Sequence, residues 1–234
     1  MGRGHKPLLA ELHAHTTWSD GVLTPGELVD LHGRAGFDVL AITDHVVRSE
    51  FACHVRAETY RAYLATIDAE AERARKQYGM LVLPGLELTV ESRDPGRAGH
   101  AVAVGLREFV SVDGGLEAAL CDARDLGAAL IAVHPYSLES ASESIRGTAW
   151  FAENPDRAAE AVDRFELFNR NERFHWVAEQ ELPFVATGDF HVPEHLFTWK
   201  TLLTCERTEG AVVERLRSSA PCALMRITAG RIAA

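Results

Sequence analysis

Two histidines stand two residues apart in LLAELHAHTTWSDG (8–21), and Asp20 follows in a Ser-Asp-Gly turn. In an extended strand such residues point to the same side, so His13 and His15 would share one face, with a carboxylate just beyond it. A metal ion needs three such groups aimed at one spot. A lone His-x-His is also common on exposed strand faces, so the remainder of the chain decides. The same residue types recur: Asp44 and His45 end VLAIT, Glu87 lies in LPGLELT, and His100 opens HAVAVG. His134 ends ALIAV before Pro135, and Asp189 and His191 end FVATG. Most of these groups terminate an apolar strand or lie in its C-terminal part. Any one of them alone reads as a buried structural residue; together they point to a multi-metal centre.

The elements that must position them alternate along the chain. Strands are expected over 8–15, 37–45, 80–90, 100–106, 128–135, 164–169, 184–191, 201–206 and 222–227. Amphipathic helices are expected between them. TPGELVDLHGRAG begins with Thr24 as N-cap, Pro25 at the first helical position and Glu27 at the third, a capping box. The stretch 58–79 carries Tyr60, Tyr63, Leu64, Ile67, Ala71, Ala74 and Tyr78 along one stripe. Continuous apolar strands alternating with helices indicate a parallel sheet covered by helices, and no linker or repeat divides the chain. A parallel α/β barrel brings the C-terminal strand ends together on one face, where active sites form. Of the other histidines, His5 belongs to a tail. His32 and His175 fall in helical patterns, partly exposed or packed on a rim, and His54 and His195 fall near the mouth.

The chain has 234 residues, 47% hydrophobic, with a net charge of −10. That charge opposes an extended nucleic-acid surface, although bound cations could still create a local site for single phosphates. Cys53, Cys121, Cys205 and Cys222 form no Cys-x-x-Cys pair and read as buried thiols in a reducing compartment. The N-terminal apolar stretch is too short for a signal peptide, and no run approaches the roughly 18 apolar residues of a membrane span. A soluble cytoplasmic protein is the expectation.

The blocks ELHAHTTWSDG, AITDH, GLELT, GHAVAVG, AVHP, ELFN and GDFH, in this order, resemble the PHP (polymerase and histidinol phosphatase) family from about residue 8 to 206. The resemblance implies a distorted (β/α)7 TIM-like barrel in a single domain, with two or three metals at the C-terminal strand ends. It implies His13, His15, Glu87 and Asp189 for a first metal, and a shared Glu87 with His100 and His134 for a second. A third would use Asp20, His45 and His191. Asp44 would orient a ligand by hydrogen bonding, and Glu87, Asp189, His191 and Asp44 form the expected catalytic set. Glu166 and Asn169, in ELFN, match a family block near the pocket. Asp20 stands where some phosphatase members carry histidine. The span between His100 and His134 also lacks the helical insertion seen in members acting on nucleotide-like substrates.

Mixed imidazole and carboxylate ligands suit Zn²⁺, Mn²⁺ or Fe²⁺. The expected reaction is phosphoester hydrolysis of a small phosphorylated metabolite or nucleotide, by attack of a metal-bridging hydroxide on phosphorus. Phosphate clamps are usually Arg or Lys. Arg48 and Arg170 are the first candidates because each closely follows a site block; Arg93, Arg97 and Lys200 read first as solvated charges. Hydrolysis of a carboxylic ester or carbamate on the same centre is a second reading, and a non-catalytic metal-binding module is a third. The loops 46–59 and 137–155, the latter with Trp150 and Phe151, follow ligand groups and would set specificity.

Overall fold

The computed structural model describes residues 6–48, 54–139 and 148–228. His5, Cys53 and the loop segments 49–53 and 140–147 lie outside them. Eleven strands form one mixed sheet: β1 (Leu8–Glu11), β2 (Val39–Ile42), β3 (His45–Val46), β4 (Leu81–Val90), β5 (Gly99–Val104), β6 (Ala129–Val133), β7 (Arg164–Asn169), β8 (Glu172–Arg173), β9 (Phe184–Thr187), β10 (Trp199–Leu203) and β11 (Ala223–Arg226). Their order is β11-β10-β1-β2-β4-β5-β6-β7-β8, with β3 on β4 and β9 on β7. The sheet curls. Just past β9, Phe190 meets Ala14 in a parallel bridge, bringing the end of β9 beside the end of β1.

The sheet is not purely parallel, contrary to the sequence reading. β1 and β2, β2 and β4, and β6 and β7 run parallel, whereas β5 is antiparallel to both β4 and β6, and β10 to β1. A parallel crossover takes a dozen or more residues. Between β4 and β5 there is only one short loop with a 3₁₀ turn at Pro95–Arg97, so the chain returns beside the strand it has just left. This reversal serves the site. His100 opens β5, and because β5 points the other way, its beginning lies at the C-terminal end of β4.

Helices α1 (Pro25–Arg34), α2 (Ala57–Tyr78) and α3 (Leu116–Asp125) cover the outside with the short helices α4 (Trp150–Glu153), α5 (Pro155–Ala161) and α6 (His175–Glu179). The Thr24 capping box starts α1, and Tyr60, Tyr63, Ile67 and Ala74 of the α2 stripe are buried. An inner core inside the curl takes Ala10, Leu12, Val39, Ala41, Leu83, Val102, Val104, Ile131 and Val185. Helix α7 (Glu209–Arg217) adds Val212 and Leu216 to it. The buried guanidinium of Arg164 donates to the carbonyls of Leu216, Arg215, Ser218 and Ala220, satisfying groups that a helix C-terminus leaves open.

Some placements differ from the sequence reading. His32 is fully buried, because α1 turns it against Phe37 and Phe190; Lys200 is also fully buried. His175 is exposed. Cys222 is buried and Cys205 half-buried, but Cys121 is exposed on α3. Among the described residues, no helix is long and apolar enough to cross a membrane.

Candidate metal centre

Strand alternation carries three candidate ligands inward. Glu87 is in phase with Leu83 on β4, His100 with Val102 and Val104 on β5, and Asp189 with Val185 of β9. Regular pairing of β1 ends at Glu11, and His13 and His15 flank the Ala14 bridge beyond it. His45 sits directly opposite Glu87 in the β3–β4 register. His134, Arg170 and Asp189 have positive φ angles of 31°, 55° and 41°. Such backbone is uncommon outside glycine and clusters at functional sites.

Three groups of candidate ligands result: His13, His15 and Glu87; Glu87, His100 and His134; and His15, Asp20, His45 and His191. The Nε2 atoms of His13 and His15 lie 3.0 Å apart, and each is 3.3 Å from Glu87 Oε2 and 3.6 Å from Asp189 Oδ1. Ligand atoms about 2.1 Å from one tetrahedral metal are roughly 3.4 Å apart, so this spacing fits a cation. Glu87 divides its carboxylate. Oε2 faces this group and His45 Nδ1 at 2.9 Å, while Oε1 faces His100 Nδ1 and His134 Nε2, both at 3.2 Å. In the third group, Asp20 Oδ1 lies 3.2 Å from His191 Nε2 and 3.5 Å from His45 Nε2. His15 turns its other nitrogen towards Asp20, at 3.7 Å.

The donor set fits metal ions on two further counts. Glu87 Oε2 and both ring nitrogens of His100 are buried with no well-aligned hydrogen bond, only the close approaches of His45, Glu87 and Glu91, an arrangement that a cation between donors would satisfy. The ionised Glu87 suits ligation, whereas the imidazoles divide: against the effect of burial, the carboxylates around them raise His13, His45, His100 and His191, protons that a bound cation would displace. Burial opposes ionisation of Glu87, but His45 and His13 outweigh it and hold the carboxyl well below its usual range. Burial lowers His15 to about 3 and also lowers His134, favouring the neutral imidazole.

Surrounding groups hold the candidate ligands. Glu166 Oε1 accepts from His13 Nδ1 at 3.1 Å, which directs Nε2 into the centre. Glu166 also accepts from Thr187 Oγ1, from His134 N at 2.6 Å and from Asn169 Nδ2 at 2.9 Å. Asp44 accepts the backbone N–H of Glu87 on its carbonyl at 3.1 Å. Its carboxylate accepts from Thr16 N at 2.7 Å, Thr16 Oγ1 at 2.8 Å and Ser19 Oγ at 2.6 Å, fixing the turn before Asp20. Ser19 Oγ in turn lies 3.4 Å from His15 Nδ1.

The centre is graded in depth. His13, His15, Glu87, His100, His134 and Asp189 are buried, His45 and His191 are half-buried, and the Asp20 side chain is 53% exposed. Arg170 stands at the open side, with Nη2 3.2 Å from Asp189 Oδ2 and 3.4 Å from His191 Nδ1. His195 lies behind it, its Nδ1 3.1 Å from Asp189 O. Arg48 instead lines a neighbouring cleft with Trp150, while Phe151 is fully buried in the core. His54 lines a separate cavity with Phe109 and Asp113. Glu11, which underlies His13, was not singled out from sequence. An acid inside the otherwise apolar LLAEL was the available signal.

A curled α/β sheet that gathers imidazoles and carboxylates at one rim defines a metal-binding protein of the hydrolase type. The chain belongs to the PHP domain family, whose model matches residues 11–174. It is 36% identical over 94 residues to a 5′-3′ exoribonuclease of Haemophilus influenzae, a match covering 40% of this chain and only 27% of that protein. Its fold resembles a two-domain Bacteroides vulgatus protein containing a predicted PHP-like metal-dependent phosphoesterase. That likeness has a TM-score of 0.73 at 20% identity and covers 96% of this chain and 66% of the other. PsfC from Pseudomonas syringae aligns at TM-score 0.61 and 13% identity, over 97% and 94% of the two chains. An amidohydrolase from Chromobacterium violaceum, with bound sulfate and no metal, aligns at 0.53 and 18%, over 79% and 88%.

Proposed function

We propose that this chain is a metal-dependent phosphoesterase acting on a small phosphorylated compound, with Zn²⁺, Mn²⁺ or Fe²⁺ at two or three sites. The observation that carries the reading is the divided carboxylate of Glu87, which faces one ligand group with each oxygen. Bound divalent cations would supply Lewis acidity and a nucleophile at neutral pH. The chain's residues supply the rest. His13, His15 and Asp189 would hold the first cation, His100 and His134 the second, with Glu87 between them. Asp20, His45 and His191 would hold a third at the solvent side. Arg170 positions Asp189 through the carboxylate and the Asp189 carbonyl, and directs a guanidinium towards the open side, where an anionic substrate enters. The buried walls around Glu87 exclude bulk water, which strengthens each charge interaction there.

The phosphoesterase named in the Bacteroides vulgatus protein and the exoribonuclease name both support a phosphoryl group as the target. The name amidohydrolase favours the second reading, attack on a carbonyl carbon of an ester or carbamate. The two are separated by supplying Mn²⁺ and comparing an aryl phosphomonoester, an aryl phosphodiester and an aryl carboxylic ester, with Asp189→Asn as control. Phosphate ester turnover that disappears in the variant supports the proposal. Turnover of the carboxylic ester alone replaces it with the carbonyl reading.

A further inference from the structure

Beside the metal centre opens a cleft of 1020 Å³ lined by four arginines, Arg48, Arg93, Arg97 and Arg157, and by Glu91, Glu117 and Trp150. The cleft and the centre share a wall. Glu91 lines the cleft, and its Oε1 lies 3.1 Å from Nε2 of His100, whose Nδ1 faces Glu87. Arg48 follows His45 by three residues, and Arg93 and Arg97 lie in the loop leaving β4, the Glu87 strand.

The charges in the cleft do not cancel. Glu117 is paired with Arg157, whose guanidinium also packs 5.8 Å over the Trp150 ring, and Glu91 is engaged with His100. Arg48, Arg93 and Arg97 form no ion pair among the described residues. In a chain of net charge −10, three guanidiniums on one concave wall repel one another and favour a multiply charged anion. Guanidinium forks match phosphate oxygens in pairs. The volume is at the upper end of the roughly 300–1,000 Å³ typical of small-ligand sites, more than one phosphate needs.

We propose that this cleft is a subsite for a second phosphoryl group on the substrate, held by Arg48, Arg93 and Arg97 while the first phosphoryl group reaches the metal centre. The inference rests on the phosphoesterase reading and narrows it: the substrate is a compact molecule with two separated phosphates.

The test uses the full chain loaded with Mn²⁺ and measures binding by calorimetry. The probes are straight-chain alkane bisphosphonates of increasing length and the alkylphosphonates of matching length. One spacing should bind at least about 10-fold more tightly than its monophosphonate, a difference near 1.4 kcal/mol. The Arg93→Gln/Arg97→Gln variant should lose that advantage while keeping its melting temperature and bound metal. Arg34→Gln, which removes an exposed arginine elsewhere, should retain it. An absent preference in the wild type, or equal loss in Arg34→Gln, overturns the subsite. So does a 5′-phosphorylated trinucleotide that alone responds to the double variant, because it would place a nucleic-acid strand in the cleft. Aryl phosphate turnover on the same samples separates the two ideas. Turnover without the preference removes only the subsite. The preference without turnover supports an anion site and removes the phosphoesterase reading.

Discussion

Lys200 and Glu11 face each other across the β10–β1 pair, Nζ to Oε2 at 2.6 Å, with both side chains fully buried. The other Glu11 oxygen accepts the backbone N–H groups of Leu12, His13 and Gly188. Lys200 also donates to His195 O and Thr198 Oγ1. One ion pair therefore ties together the segments that carry His13 and Asp189. Gly188 passes so close that a Cβ there would collide with the Lys200 ammonium and the Glu11 carboxylate.

Lys200→Met should be strongly destabilising, because it leaves the Glu11 carboxylate buried without its partner. Removing one member of such a pair costs about 3–5 kcal/mol. Glu11→Gln/Lys200→Met should recover part of the loss, since neither charge then remains. Urea unfolding of the single and double variants checks both. A single variant within about 0.5 kcal/mol of wild type would show that the pair does not hold the fold.

Glu166 should act on metal affinity through His13. It accepts from His13, Thr187, His134 and Asn169, so Glu166→Gln turns an amide N–H₂ towards groups that also donate. A weakening of metal binding by about 10–100-fold is expected, measured by chelator competition. Unaltered affinity would mean that His13 holds its orientation without Glu166.

Asp44→Ala should affect the solvent-side cation before the buried ones. Its carboxylate accepts from Thr16 and Ser19, in the turn that presents Asp20, while its contact with Glu87 is through the backbone, which the substitution keeps. A metal titration should show the weakest site lost while those around Glu87 are retained. Equal weakening of every site would contradict this division.

His32 should make stability sensitive to acid. Burial lowers its pKa from 6.5 to about 3. Between those values the unfolded chain binds a proton that the folded chain does not, so stability falls as pH drops below about 6.5. The slope from one such group is at most about 1.4 kcal/mol per pH unit. His32→Phe should flatten the stability profile by that amount over this range, measured by denaturant melts at pH steps. Parallel profiles would mean that His32 titrates normally in the fold.

The gathering of the candidate ligands was legible because histidine and carboxylate are unusual at the ends of apolar strands, and strand alternation predicts where they point. Glu166 and Asn169 could be named from their block, but that Glu166 orients His13 depends on a contact across the curl. The reversal of β5 could not be read, since an apolar run has no direction until its loop lengths are taken into account. Lys200, Glu11 and His32 were misjudged or missed for one reason: a charged or polar side chain in an apolar element reads as solvated until its buried partner is known. The arginine cleft needs residues from separate loops to meet, which only the folded chain shows.

Glu87, as proposed, is shared between two cations. The most direct measurement is anomalous scattering from crystals of the Mn²⁺-loaded protein. Two peaks are expected to flank the Glu87 carboxylate, about 3.5–4 Å apart, the spacing of paired catalytic metals. A single peak, or peaks placed away from Glu87, would contradict it.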